Sequence, residues 1–401
     1  MLIVQKFGGG SVADAAKVNR VAGIITDTYC EGNDVVVVIS AQGNTTDDLL
    51  ARSREVNPHP SRRELDMLLT AGEQMSVALV AMALERMGIP VVSLTGWQIG
   101  LETTSEYGNA RIKRISTERI QQELDKKRIV LIAGFQGVNK FGDITSLGRG
   151  GSSTTAVALA ARLEADKCQI YTEHEGVFTA EPDIVPDAKK LNEITYDEML
   201  ELGSLGSSVL RNRAVEMAKR YNVVLEVLSS SVRKPGTTIK EVVKQVEQMK
   251  ISGIVKDSNV ASIAVMGLPD EPGIAFKVFR LMSKAKINVD IILQSHSKDN
   301  TNDIIFTIEK GDIEAVKDIL GEYQPSLGFE RIETDEHVAK ISIVGAGMIS
   351  SHGIASLMFE ALYDAKINIK MISTSEIKVS VLIDEDYAEH AIQAIHAKFF
   401  N

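Results

Sequence analysis

Lys6 closes the apolar run MLIVQKF and is followed at once by Gly8, Gly9 and Gly10. Glycines there permit close backbone approach, consecutive N–H groups can form an anion nest, and the ammonium would neutralise phosphate charge. A second glycine-rich stretch, LGRGGSSTTAVALAA at 147–161, leads small hydroxyls into an apolar helical pattern. Ser152 or Ser153 can cap that helix, leaving N–H groups and the helix dipole to an anion. Arg149 suits a carboxylate or a phosphate. Neither stretch is G-x-x-x-x-G-K-[ST], so there is no P-loop. Each alone also fits a plain strand-to-helix turn with a solvated cation.

Glu73 sits in TAGEQMS among Ala71, Gly72, Met75, Ala78 and Leu79. These neighbours would let it face inward, although a solvated glutamate fits too. Ser40, Thr45, Thr46 and Asp47 follow an apolar run and either meet a ligand or cap the next helix. His174 stands between Glu173 and Glu175 with no second His or Cys at ligand spacing. A surface turn and no metal site are expected there. No Ser-His-Asp or Cys-His arrangement is readable.

The elements that must position these residues alternate. Strands are expected at Leu2–Phe7, Asp34–Ser40, Val91–Leu94, Ile129–Gly134, Cys168–Thr172 and Val223–Leu228. Helices are expected at Ala13–Ile25, Arg63–Met87, Ser116–Lys126, Thr154–Ala165, Tyr196–Leu202 and Ser208–Arg220. VVVVIS and RIVLIAGF read as strands covered on both faces. The class is therefore α/β, with a mainly parallel sheet sandwiched by helices. Ligands on such sheets sit beyond the carboxyl ends of the strands, where the glycine-rich segments fall.

After the polar stretch SSSVRKPG the chain repeats itself. GIAFKVFRLMSKAKINVDII at 273–292 and GIASLMFEALYDAKINIKMI at 353–372 share nine of twenty residues at an offset of 80. Each copy sits in a βαββαβ-like order, the split ferredoxin-like unit. The expected organisation is a catalytic domain at 1–232, a linker at 233–255, and two small domains at 256–334 and 335–401.

The 401 residues carry a net charge of −10, which argues against broad nucleic-acid or anionic-membrane partners. Two isolated cysteines, Cys30 and Cys168, read as reduced thiols of a cytoplasmic protein. No signal-peptide layout and no 18-residue apolar span are read.

Together these residues resemble the aspartokinases of the amino-acid kinase family. The resemblance rests on KFGG–SV at 6–12, SA–G–TTD at 40–47, GE at 72–73, SLTGWQ at 93–98 and AGFQGVN at 133–139. It continues through LGRGGS–TTAVALAA at 147–161, EGVFTAEP at 175–182, YDEML at 196–200, SIVGAGM at 342–348 and ISTSEIKVSVLID at 372–384. The repeats look like paired ACT domains.

The resemblance implies transfer of the γ-phosphoryl of Mg-ATP to the side-chain carboxylate of L-aspartate, toward lysine, threonine and methionine. It implies that Lys6 steadies the phosphoryl group. Ser40, Thr46, Glu73, Arg149 and Ser152 hold the amino acid, with Arg149 on its α-carboxylate. Gly8, Gly9, Thr172, Glu173, Phe178 and Asp183 lie on the ATP side. An effector such as lysine or threonine would meet Gly273, Ile274, Ala275, Asp290 and Gln294 in the first repeat. In the second it would meet Ile367, Asn368, Ile369, Thr374 and Glu376. A homodimer or larger homo-oligomer would form through the ACT domains.

The family pattern differs at several positions. Gly10 stands for threonine, Gln42 for methionine, Ser153 for an aspartate that orients catalytic lysines, and Glu173 for aspartate. Asp183 stands for arginine and Ser208 for a lysine that neutralises phosphates. Arg211, three residues after Ser208, would compensate from the same helical face. Three readings follow: an aspartokinase with an altered site, a weak paralogue with a regulatory role, or a kinase for another carboxylate.

Overall fold

The computed structural model describes residues 1–206, 209–243, 251–296, 301–348 and 351–400. The chain forms two compact units, one of Met1–Phe178 and Lys189–Val246, the other of Thr179–Ala188 and Glu247–Asn401.

The first unit is built on an eight-stranded sheet. Its spatial order is Glu193–Thr195, Thr237–Lys240, Leu225–Ser229, Lys167–Thr172, Leu2–Phe7, Asp34–Ile39, Ile129–Ala133 and Val91–Leu94. All neighbouring pairs are parallel except Leu225–Ser229 with Thr237–Lys240. Val35 to Ile39 are all fully buried, as a central strand covered on both faces requires. Phe7, Val35, Val37 and Ile39 pack one face against Val18 and Val21 of helix Ala15–Cys30 and Val77 and Val80 of helix Ala71–Arg86. Asp14 caps the first of these helices by accepting from the Lys17 N–H.

The expected helix at 63–87 is divided into Arg62–Leu69 and Ala71–Arg86 at Thr70. Across both, Arg62–Arg86 is long and apolar enough by composition to span a membrane, yet half of its most apolar window is buried in the protein. A helix Thr45–Val56, not foreseen as an element, follows the second strand.

The second unit holds two four-stranded antiparallel sheets. The first repeat runs Ala261–Pro269, helix Ile274–Ala285, Ile292–His296, Thr301–Ile308, helix Ile313–Leu327 and Arg331–Asp335. Its spatial order places the fourth strand beside the first and the second at the far edge. The second repeat runs Val338–Val344, helix Ile354–Asp364, Met371–Thr374, Lys378–Asp384 and helix Ala388–Phe400. Here the expected βαββαβ order is not met. The place of the sixth element is taken by Gly253–Asp257, antiparallel to Val338–Val344. The first repeat is therefore inserted between the strands of the second. The stretch 233–255, expected as a linker, contributes Thr237–Lys240 to the large sheet and begins this permuted strand. The segment 179–188, expected in the catalytic domain, places Ala180 and Val185 in the core of the second repeat beside Ile254, Ile341 and Ile392.

The repeat is also visible in backbone detail. Gly273 and Gly353 are left-handed N-caps at φ 93° and 84°, and Lys286 and Lys366 are left-handed at φ 61° and 57°.

Candidate active site

Lys6 pairs in register with Val38 on one side and Ile170 on the other, at the middle of the large sheet. Strand alternation sends it to the opposite face from Phe7, whose ring stacks on Tyr171 at 4.5 Å. Burial lowers the Lys6 ammonium from its usual value to about 8. Burial likewise pushes the Cys168 thiol up to about 12, so it stays neutral. A desolvated cation at the carboxyl edge of a sheet interacts with an anion far more strongly than one in water.

The chain beyond Lys6 is hydrogen-bonded to the loop after the second strand. Ser40 N–H donates to Phe7 O at 3.1 Å and Gly43 N–H to Gly9 O at 3.0 Å. Helix Ala71–Arg86 brings Glu73 onto the same loop. Its side chain is buried, and Oε1 accepts from the Ala41 N–H at 3.3 Å. Glu73 Oε2 is buried without a hydrogen-bond partner. Desolvation raises this carboxyl to about 8, opposed by the backbone donors. An inward Glu with one satisfied and one open oxygen is a receptor for a cationic donor.

The 147–151 loop is clamped from two sides. Asp66, buried on helix Arg62–Leu69, accepts from Ser146 Oγ at 2.5 Å, Ser146 N at 2.9 Å and Gly108 N at 2.9 Å. Arg213 donates to Leu147 O and Ala110 O, each at 2.7 Å. The expected cap by Ser152 or Ser153 is not made. Gly150, left-handed at φ 74°, is the N-cap of helix Gly151–Arg162 and has no side-chain cap. Ser152 and Ser153 are instead buried in the first turn. Ser153 N–H donates to Gly150 O at 3.1 Å. Arg149 is exposed and makes no protein hydrogen bond or ion pair among the described residues.

One cleft of about 680 Å³ gathers most of the anticipated residues: Lys6, Gly9, Ser40, Thr46, Glu73, Arg149, Ser152, Ser153 and Arg211. Arg211 is not on a helix face, because helix Asn212–Tyr221 starts after it and Arg211 is its extended N-cap. Its side chain lies against Gly150, where any Cβ would collide with it. Ser208 lies outside the described residues.

Of the residues assigned to the nucleotide, Lys6 and Gly9 line this cleft, whereas Gly8, Thr172, Glu173 and Phe178 are not among its lining residues. Gly8 lies over Lys6, since a Cβ there would be 3.3 Å from Nζ. Thr172 ends its strand and accepts from the His174 N–H at 3.1 Å. Glu173 fills the space beside Gly10, where a Cβ would stand 2.8 Å from its Cδ. Phe178 bridges to Lys190 within the first unit, whereas Asp183 belongs to the second.

Sequence reasoning missed Asp66, Ser146 and the serines of the neighbouring strand end, and did not foresee that Arg213 clamps the loop. Ser11 Oγ donates to Ser230 Oγ at 2.8 Å, and Ser230 N–H to Thr172 O at 2.9 Å. The only signal for Asp66 was an acid on the apolar face of its helix.

In the second unit, Ile274 and Ile367 are core residues. Ala275 and Ile369 pack against those cores. Gly273, Gln294, Asn368, Thr374 and Glu376 are exposed. Asp290, expected to be open to an effector, is already paired with Lys340 at 2.5 Å.

Comparison with known proteins agrees with this architecture. Residues 1–229 match the amino acid kinase family, and 262–324 and 341–399 each match an ACT domain. The chain is 48% identical to an aspartokinase of Mycolicibacterium smegmatis, over 99% of this chain and 96% of that one. It is 42% identical to the aspartate kinase structure from Synechocystis, with a TM-score of 0.57, covering 100% of this chain and 69% of that one. E. coli aspartokinase III, solved with aspartate and ADP, shares the fold at a TM-score of 0.84 and 24% identity, over the full length of both chains. With an amino acid kinase domain, two ACT domains and 48% identity to an aspartokinase over 99% of its length, the chain belongs to the aspartokinases.

Proposed function

We propose that the cleft transfers the γ-phosphoryl of ATP to the side-chain carboxylate of L-aspartate, giving 4-phospho-L-aspartate. The observation that carries this is the open Oε2 of buried Glu73 in one cleft with Arg149 and Lys6. An α-amino acid presents an ammonium for the first, an α-carboxylate for the second, and a side-chain carboxylate toward the third. Phosphoryl transfer needs positioning and charge neutralisation more than covalent help, which suits a cleft that gathers Lys6, Arg149 and Arg211.

ATP fits the glycine turn, with Gly8, Gly9, Thr172, Glu173 and Phe178 on its side and Lys6 at the transferring group. Mg²⁺ would be held mainly by the phosphates, since no cluster of three metal-ligating side chains exists among the described residues. Arg211, lying against Gly150 of the 147–151 loop and lining the cleft, would supply charge at the site. This supports a working kinase over a purely regulatory paralogue, despite Ser153 in place of an acid.

The ACT repeats would bind an end-product amino acid, lysine or threonine, and feed back on catalysis. Assembly into at least a homodimer would use them. The edge strands Ile292–His296 and Met371–Thr374 leave Ile292 and Ile372 exposed at matching positions of the repeat. Free cysteines at 30 and 168 suit the cytoplasm.

A coupled ADP assay tests the reading with L-aspartate, with succinate (which lacks the α-ammonium), and with Arg149→Ala. Aspartate should support turnover and succinate should not. Arg149→Ala should raise KM for aspartate by about 10²-fold, as loss of a charge-assisted anchor does. A silent parent with an active Ser153→Asp/Ser208→Lys variant would establish the paralogue reading. Equal use of succinate would establish another acceptor.

A further inference from the structure

Lys340 is 4% exposed and lies on strand Val338–Val344 of the second repeat. Its Nζ is 2.5 Å from Oδ2 of Asp290 and 3.3 Å from Oδ2 of Asp257. Asp290 comes from the first repeat, just before the edge strand Ile292–His296. Asp257 ends the permuted strand Gly253–Asp257 and faces Lys340 in register. One buried cation is thus shared by two acids carried on different segments.

The residue 80 positions beyond Asp290 is Lys370, which pairs with Asp335 of the first repeat at 2.7 Å. Between these ion pairs lie Val260, Ile291, Val338, Met371 and Leu382, a shared apolar cluster.

A buried ammonium that loses its sole acid is strongly destabilised. Lys340 has two acids, so Asp290 can change partner while Asp257 keeps the ammonium compensated. The Asp290 side chain is 42% exposed and can be reached from solvent. An incoming α-amino acid offers an ammonium, the same charge Asp290 already holds. We infer that Lys340 is an internal competitor for the amino-acid ammonium at Asp290, retained by Asp257 when the effector displaces it. This rests on the effector reading given above.

The inference fixes opposite signs for two substitutions. Lys340→Met removes the competitor and should tighten amino-acid binding about three- to tenfold, since Asp290 is no longer occupied most of the time. Asp257→Asn removes the alternative acid, so Lys340 holds Asp290 harder and binding should weaken by a similar factor. A purely structural ion triad predicts loss of affinity in both, alongside a lower melting temperature.

The experiment is calorimetric titration of the full chain with L-lysine and, separately, L-threonine, on the parent, both variants and Asp290→Asn. The double variant Lys340→Met/Asp257→Asn leaves no acid stranded at 257 and should also bind more tightly, should Lys340→Met alone fold poorly. Weakening in Asp290→Asn with opposite shifts in the other two supports the competitor. Weakening in Asp290→Asn with no tightening on removal of Lys340 overturns it while the effector reading stands. Unchanged affinity in Asp290→Asn overturns the inference while amino-acid binding by the repeats stands, and no binding of either amino acid to the parent overturns the effector reading and the inference with it.

Discussion

The Ala41 N–H reaches Oε1 of Glu73 at 3.3 Å, while Oε2 of the same buried carboxylate has no partner. Half of this group serves the protein and half is open. Its folded pKa of about 8 lies above the unfolded value near 4.5, so folding favours the protonated form. Between those values the unfolded state binds fewer protons, and stability falls as pH rises.

Glu73→Gln should therefore raise the stability of the ligand-free protein at pH 7.5 by about 3–4 kcal/mol, by removing a carboxyl that the fold keeps from ionising. The same change should weaken aspartate binding by about 10²-fold, because a neutral amide replaces the ion partner. Thermal melts and KM for aspartate check the pair. A destabilised variant with normal KM would mean that Glu73 is merely structural.

Lys6 titrates near 8 in the free protein and must be protonated to hold a phosphate. The value of kcat/KM for ATP reports the free enzyme. It should decline above about pH 8, and phosphate binding at pH 8.5 should take up a proton. A flat profile to pH 9.5 with no proton uptake would remove Lys6 from that role.

Asp66 holds Gly108 and Ser146 together through three donors. Asp66→Asn replaces acceptor lone pairs by an amide that donates. It should cost about 2–3 kcal/mol of stability and raise KM for aspartate through a loosened 147–151 loop. Denaturant melts with kinetics on the folded fraction separate the two effects.

Gly10 leaves room that Glu173 occupies. Gly10→Ala should displace Glu173 and raise KM for ATP about tenfold, and adding Glu173→Asp, one methylene shorter, should recover most of it. Additive losses would mean that the two positions are independent.

Much of the site was legible because local rules carried it. A buried-type strand ending in Lys-x-Gly-Gly, a glycine turn entering an apolar helix, and small residues around Glu73 each have a short-range cause. What escaped depends on partners distant in sequence. Asp66 meets Ser146 across 80 residues and Lys340 meets Asp290 across 50, and no periodicity reports either. The apolar positions Ala214, Val215 and Ala218 mark the helix but not its first residue, and Arg211 proves to be its N-cap rather than part of a helix from Ser208. The second repeat borrows Gly253–Asp257 from before the first, so counting strands forward along the chain assigned it to the linker.

The central claim is that Lys6, Glu73 and Arg149 together present an amino acid's side-chain carboxylate to a phosphoryl group. The direct measurement is trapping of the acyl phosphate as a hydroxamate, with ATP and L-aspartate, on the parent and on Glu73→Gln. Aspartate-dependent hydroxamate from the parent, falling at least about 10²-fold in the variant at subsaturating aspartate, is the predicted result. ADP release without any hydroxamate, or equal hydroxamate from both proteins, would contradict the account.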